Sequence, residues 1–172
     1  IGVSRGLGDV YKRQVLYNYD TTRKVTLENM IEHSKSVRIG VKKSLMVVDM
    51  PYRTYQNKRQ ALTNARKILK ETKCEAVKLE GGFKIKSIVE YLIQNKIPVM
   101  GHLGLLPQSI KGKFKSKGKT EREKNKLISE SKLLESLGVF AIVLECIRGK
   151  TADLITKSIS IPTIGIGSSA HC

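Results

Sequence analysis

Tryptophan is absent, and aromatic residues make up only 5% of the chain. Proteins that grip single-stranded nucleic acid usually stack its bases on aromatic rings, so this shortage speaks against that partner. No apolar run approaches the roughly 18 residues of a membrane span, and no signal peptide is visible. A soluble cytoplasmic protein without a membrane partner is therefore expected. Cysteine is scarce too: Cys74, Cys146 and Cys172 are odd in number and far apart. That excludes a disulfide framework and predicts reduced thiols, with no zinc site. Acidic residues number 15 against 32 basic ones, for a net charge of +17. Such an excess would ordinarily point to nucleic acid. Here 23 lysines outnumber 9 arginines and are spread along the chain. Lysine lacks the bidentate fork by which arginine reads bases, so the charge is read mainly as solvated helix faces. The densest basic run, KGKFKSKGKTEREK (111–124), is the one local candidate for an anion.

What is present is a regular alternation. VTLENMIEHSKSV reads as a helix, with Thr26 as N-cap and Asn29 where a capping box would hold Glu or Gln. SLMVVDMP is a short apolar strand stopped by Pro51, and QNKRQALTNARKILKETK is an amphipathic helix. EAVKLE, IPVMGHLG, VFAIVLE and IPTIGIG read as further strands. Between them lie helices over FKIKSIVEYLIQNK, TEREKNKLISESKLLESLG (with Gly138 as C-cap) and TADLITKSI. Five strands, each but the last followed by a helix, predict a parallel sheet with helices outside it. A dinucleotide-binding fold would need a glycine fingerprint after the first strand, and SLMVVDMPYR has none. A (β/α)8 barrel fits better, because polar residues recur at the strand ends that carry its ligands. Five strands cannot close such a barrel, so a truncated one is expected. The first 14 residues, IGVSRGLGDVYKRQ, do not join the pattern and are set apart as a non-native lead-in (1–14), leaving a partial barrel domain over 15–172.

The strand-end residues carry the chemistry. In AVKLEGG, Lys78 and Glu80 are two apart and so share one face, opposite Val77 and Leu79. Asp49 ends the preceding strand. Asp49 and Glu80 without a cysteine or second histidine form an oxygen-ligand set suited to Mg²⁺. A structural Lys–Glu pair is the other reading of the same spacing. His102, in GHLGLLPQS, is either a hydrogen-bonded structural residue or part of a site. Glu145 ends an apolar run, where partial desolvation would suit a proton acceptor; the alternative is a surface carboxylate. Cys146 beside it has no basic partner in sequence and is read as packing.

Together the motifs DTTRKVTLENMIEHSKSV, VVDMPYRTYQ, AVKLEGG, IPVMGHLGLLPQS, VLEC and IPTIGIGSSAHC resemble the ketopantoate hydroxymethyltransferase family, in that family's order, across residues 15–172. The resemblance implies a (β/α)8 TIM barrel of the phosphoenolpyruvate/pyruvate superfamily, assembled as a homo-oligomer, typically a decamer. It implies transfer of a hydroxymethyl group from 5,10-methylenetetrahydrofolate to 3-methyl-2-oxobutanoate through a Mg²⁺-stabilised enolate, giving 2-dehydropantoate in pantothenate synthesis. On this resemblance Asp49 and Glu80 bind the metal. Asp49 and Lys78 bind the keto acid, His102 lies in the substrate pocket with its role open, and Glu145 is the proton acceptor. The folate-contacting residues are not indicated. Some family features are missing: a further metal-binding Asp and an adjacent Ser have no match in residues 1–14, and the loop GKFKSKGK is short, with Lys117 where the family has Gln. An inactive or unstable fragment is the corresponding expectation, since an unclosed barrel exposes strand edges. The alternatives are another Mg²⁺-dependent keto-acid lyase of the same superfamily and, from a different class, a basic nucleic-acid-binding protein.

Overall fold

The computed structural model describes residues 22–109, 115–168 and 172. The lead-in 1–14 and the 111–114 portion of the basic run lie outside them. A 3-10 turn at Thr22–Lys24 precedes helix α1, Leu27–Gly40. Thr26 caps α1 as its sequence predicts, and Asn29 does the work expected of Glu or Gln. Asn29 N–H donates to Thr26 Oγ1 at 3.1 Å, and Asn29 Oδ1 accepts from Thr26 N–H at 3.2 Å. Strand β1 is short, Val47–Asp49, because Pro51 follows and cannot continue the ladder. Helix α2, Lys58–Thr72, starts at Asn57, whose Oδ1 accepts from Gln60 N–H at 2.9 Å. Then come β2 (Ala76–Glu80), a 3-10 turn at Phe83–Ile85, α3 (Lys86–Gln94) and β3 (Val99–Gly104). The chain ends with α4 (Glu121–Ser136), β4 (Ala141–Glu145), α5 (Gly149–Ser158) and β5 (Thr163–Ile166). Gly138 falls one residue beyond the C-cap of α4, which is Leu137. Its φ of +93° lets its N–H turn back to Glu135 O, a conformation only glycine adopts cheaply.

The five strands are all parallel, in the order β1-β2-β3-β4-β5. Each neighbour is reached through one helix, as repeated strand–helix units require. Alternation then sorts the sheet into two faces. Val48, Val77, Leu79, Val99, Leu103, Ile142 and Leu144 pack outward with the helices, among Ile31, Ile68, Leu92, Leu134 and Ile155. The inner face carries a smaller apolar group, Met100, Ala141 and Val143, with Val47, Ile164 and Ile166 beside it. Every residue of β2 is buried, because both faces are covered. Register aligns Asp49 with Lys78 and Met100, Glu80 with His102 and Val143, and Gly104 with Glu145. All five charged or titratable candidates therefore share the inner face near the strand C-terminal ends.

Candidate active site

The inner face holds its charges through one chain of contacts. Lys78 Nζ lies 2.9 Å from Asp49 Oδ1 and 3.2 Å from His102 Nδ1. His102 Nε2 lies 3.1 Å from Glu145 Oε2, close in distance but oblique to the ring N–H. A lysine ammonium can only donate, so Nδ1 accepts and the ring proton sits on Nε2, facing Glu145. Burial, with only 2% of the residue exposed, drives the His102 pKa below 6.5, and the neighbouring Lys78 charge pushes it the same way. Glu145 and Asp49 oppose that shift without reversing it. The imidazole is therefore neutral at pH 7, and its approach to Glu145 is neither an ion pair nor an aligned hydrogen bond.

Glu80 sits one step further toward the strand ends and is 5% exposed. Gln108 N–H donates to its Oε2 at 3.1 Å. The turn after Glu80 needs its glycines. Gly81 has φ +125°, and its N–H donates to His102 O at 3.0 Å. At Gly82 a Cβ would fall 2.5 Å from Glu130 Cδ, a buried α4 side chain whose carboxylate accepts from Phe83 N–H at 3.3 Å. Gly104 does the same for Glu145: its Cβ would fall 2.2 Å from Glu145 O, which accepts from Leu105 N–H at 2.8 Å. A cavity of about 570 Å³ opens at this end of the sheet, bordered by Glu80, Gly104 and Gln108 and rimmed by Tyr52, Arg53 and Lys117.

Four of the five sequence-predicted residues are thus brought into contact, while Glu80 shares their face and is bonded by Gln108. Lys78 joins Asp49 directly and Glu145 through His102. Among the described residues no group of three or more His, Cys, Asp or Glu is arranged to hold a metal. Asp49 and Glu80 nevertheless put two oxygen-only donors on the same face, Glu80 bordering the cavity and Asp49 against Lys78. That donor chemistry fits Mg²⁺, which takes one or two carboxylates and fills its other positions with water and substrate. Cys146, at φ +49°, has its thiol pKa raised by burial and by Glu145, which leaves it protonated and unreactive, as its sequence context predicts. Three contributors were not singled out from sequence: Gln108, Glu130 and Ser168. Ser168 Oγ accepts from Ile147 N–H at 3.1 Å and donates to Leu144 O at 2.8 Å, closing the turn after Glu145. Gln108 lies inside GHLGLLPQS, where a polar residue after a glycine turn and a proline was the available signal.

Among solved structures, oxaloacetate acetylhydrolase matches 92% of this chain and 57% of its own, with a TM-score of 0.64 at 10% identity. 2,3-Dimethylmalate lyase, a member of the PEP mutase/isocitrate lyase superfamily, matches 95% of this chain and 57% of its own, with a TM-score of 0.64 at 11% identity. At such identities the likeness shows the fold alone: parallel strands joined by helices, as in part of a (β/α)8 barrel. In sequence, the 3-methyl-2-oxobutanoate hydroxymethyltransferase of Pelagibacter ubique is 61% identical over 92% of this chain and 61% of its own length. That of Clostridium novyi is 48% identical over 92% of this chain and 58% of its own. The chain thus spans about three-fifths of the length of these curated relatives. The ketopantoate hydroxymethyltransferase family model matches residues 7–172. With nearly the whole chain inside that match, and the inner-face motifs carrying the resemblance, the chain belongs to the ketopantoate hydroxymethyltransferase family.

Proposed function

We propose that this chain forms the catalytic face of an enzyme that moves a hydroxymethyl group from 5,10-methylenetetrahydrofolate to 3-methyl-2-oxobutanoate, giving 2-dehydropantoate. The observation that supports it best is the contact chain Asp49–Lys78–His102–Glu145 on the inner face. It joins a cation able to hold a keto-acid carboxylate to a carboxylate able to take a proton.

The hydrogen on C3 of the substrate is acidified by the adjacent carbonyl, and Glu145 accepts it. Neutral His102 presents its Nε2–H toward Glu145 and so steadies the carboxylate before transfer without neutralising it. Lys78 fixes the substrate carboxylate and so orients C3 toward Glu145. Water adds to the folate methylene and the two C–N bonds break, their nitrogens taking the water protons as tetrahydrofolate leaves; the enolate carbon adds to the released formaldehyde-level carbon, and the new alkoxide takes back the proton held by Glu145. Asp49 and Glu80 would hold Mg²⁺, which supplies Lewis-acid polarisation of the keto acid when bound. A cytoplasmic location and a homo-oligomer, decameric in the family, belong to the same proposal.

The test is 2-dehydropantoate formation by the full-length enzyme carrying these residues, with and without folate and Mg²⁺. Wild type is expected to need both. Glu145→Ala is expected to lose about 10²- to 10⁴-fold in kcat, the usual worth of a general base. Turnover of a keto acid without folate would instead favour a lyase. No product from folded, metal-loaded protein would overturn the transferase reading.

A further inference from the structure

Gln108 is 4% exposed, and each of its four polar groups is used by a different part of the molecule. Its N–H donates to Glu80 Oε2 at 3.1 Å. Its side-chain Nε2 donates to Met50 O at 2.9 Å, and its Oε1 accepts from Tyr55 OH at 3.0 Å. Its carbonyl accepts from Arg23 Nε at 2.9 Å, and Arg23 in turn lies over the Tyr52 ring, 4.9 Å from its centroid. Met50 directly follows Asp49, and its own N–H is held by Lys78 O at 3.0 Å. Gln108 therefore touches Glu80 through its main chain and, through its side chain, the carbonyl of Met50, the residue after Asp49. Nothing in the general packing demands the two side-chain bonds, since an apolar residue would fill the same volume and keep only the main-chain pair.

From this geometry we infer that Gln108 is a positioning residue that sets the separation and orientation of the Asp49 and Glu80 carboxylates, and so tunes their divalent-cation affinity. The inference rests on the proposed function for its metal. Removing the side-chain amide frees the Met50 carbonyl and loosens the Gln108 main chain that holds Glu80, so the placement of one carboxylate relative to the other is no longer fixed. Residues that orient metal-binding groups typically change affinity by 10- to 100-fold when replaced.

The experiment is Mn²⁺ binding to the full-length protein, read by electron paramagnetic resonance without substrate, alongside thermal unfolding of the metal-free protein. Gln108→Met keeps the volume and removes both side-chain bonds; its Mn²⁺ Kd is expected to rise about 10- to 100-fold. Tyr55→Phe removes the hydroxyl bond to Gln108 Oε1, and a rise of about two- to tenfold is expected. It decides the matter if Gln108→Met does not fold. Gln108→Glu keeps the acceptor for Tyr55 but turns an oxygen on Met50 O, so it should fail to restore affinity. Wild-type Mn²⁺ affinity in the folded variants would overturn the inference and leave the transferase reading standing. No Mn²⁺ binding by wild type would overturn the metal assignment and this inference together.

Discussion

The two faces of the sheet are built from the same strands and obey opposite rules. The outer face is apolar and non-directional: Val77, Leu79, Ile142 and Leu144 need only fill volume against the helices. The inner face buries Lys78, Glu80 and His102, and each must meet a particular atom of a particular neighbour. Loss of a methyl group outside leaves a gap. Loss of a partner inside leaves a buried charge with no counter-charge. The first fault is graded and the second is close to all-or-none.

That contrast can be broken most sharply at Lys78. Lys78→Met should cost about 3–5 kcal/mol, because Asp49, only 11% exposed at its side chain, loses its counter-charge. Adding Asp49→Asn to the same chain should return most of the loss, as shown by urea unfolding of the full-length protein at neutral pH. A double variant as unstable as the single one would mean that lysine packing, not charge, is what matters. On the outer face Ile142→Ala should cost about 2–5 kcal/mol through a cavity, and no second polar change should rescue it. Turnover per folded molecule should stay near wild type, as measured by activity normalised to the folded fraction.

The smallest effect is one of pH. Burial, and then Lys78, depress the His102 pKa below 6.5. In acid the unfolded chain therefore takes up a proton that the folded chain resists. Stability on this account is complete above about pH 6.5 and declines as the pH falls toward the lower folded value. His102→Gln should flatten the stability profile between about pH 7 and about pH 5, leaving the steeper carboxylate-driven loss at lower pH. A profile unchanged by that replacement would show that His102 is not the group that titrates.

Much of this was legible in the chain. Period-two alternation assigns Lys78 and Glu80 to the face opposite Val77 and Leu79, and the burial of β2 agrees. Strand-end position was enough to gather Asp49, His102 and Glu145 with them, because parallel neighbours of similar length bring their C-terminal ends together. Partner identity was less legible. Nothing in the spacing of Lys78 indicates that its ammonium meets Asp49 and His102, since that depends on register between strands 24 or more residues apart. Gln108 was hidden for a similar reason: its bonds reach residues 28, 53, 58 and 85 positions away. At α1 the sequence rule was too narrow, as Asn29 reaches the Thr26 N–H that a longer Glu or Gln was expected to serve.

Strand order that follows sequence order has a temporal meaning. A chain growing from its N-terminus lays each strand beside the one finished just before it. Asp49 meets its counter-charge only as β2 arrives, because β2 brings Lys78. The 24 residues from Lys78 to His102 take about 1–5 s at ordinary rates of synthesis. Glu145 comes last, onto a histidine already in place. Each inner-face contact can thus form as its second member is translated, and Lys78 is never placed in the sheet ahead of the carboxylate it pairs with.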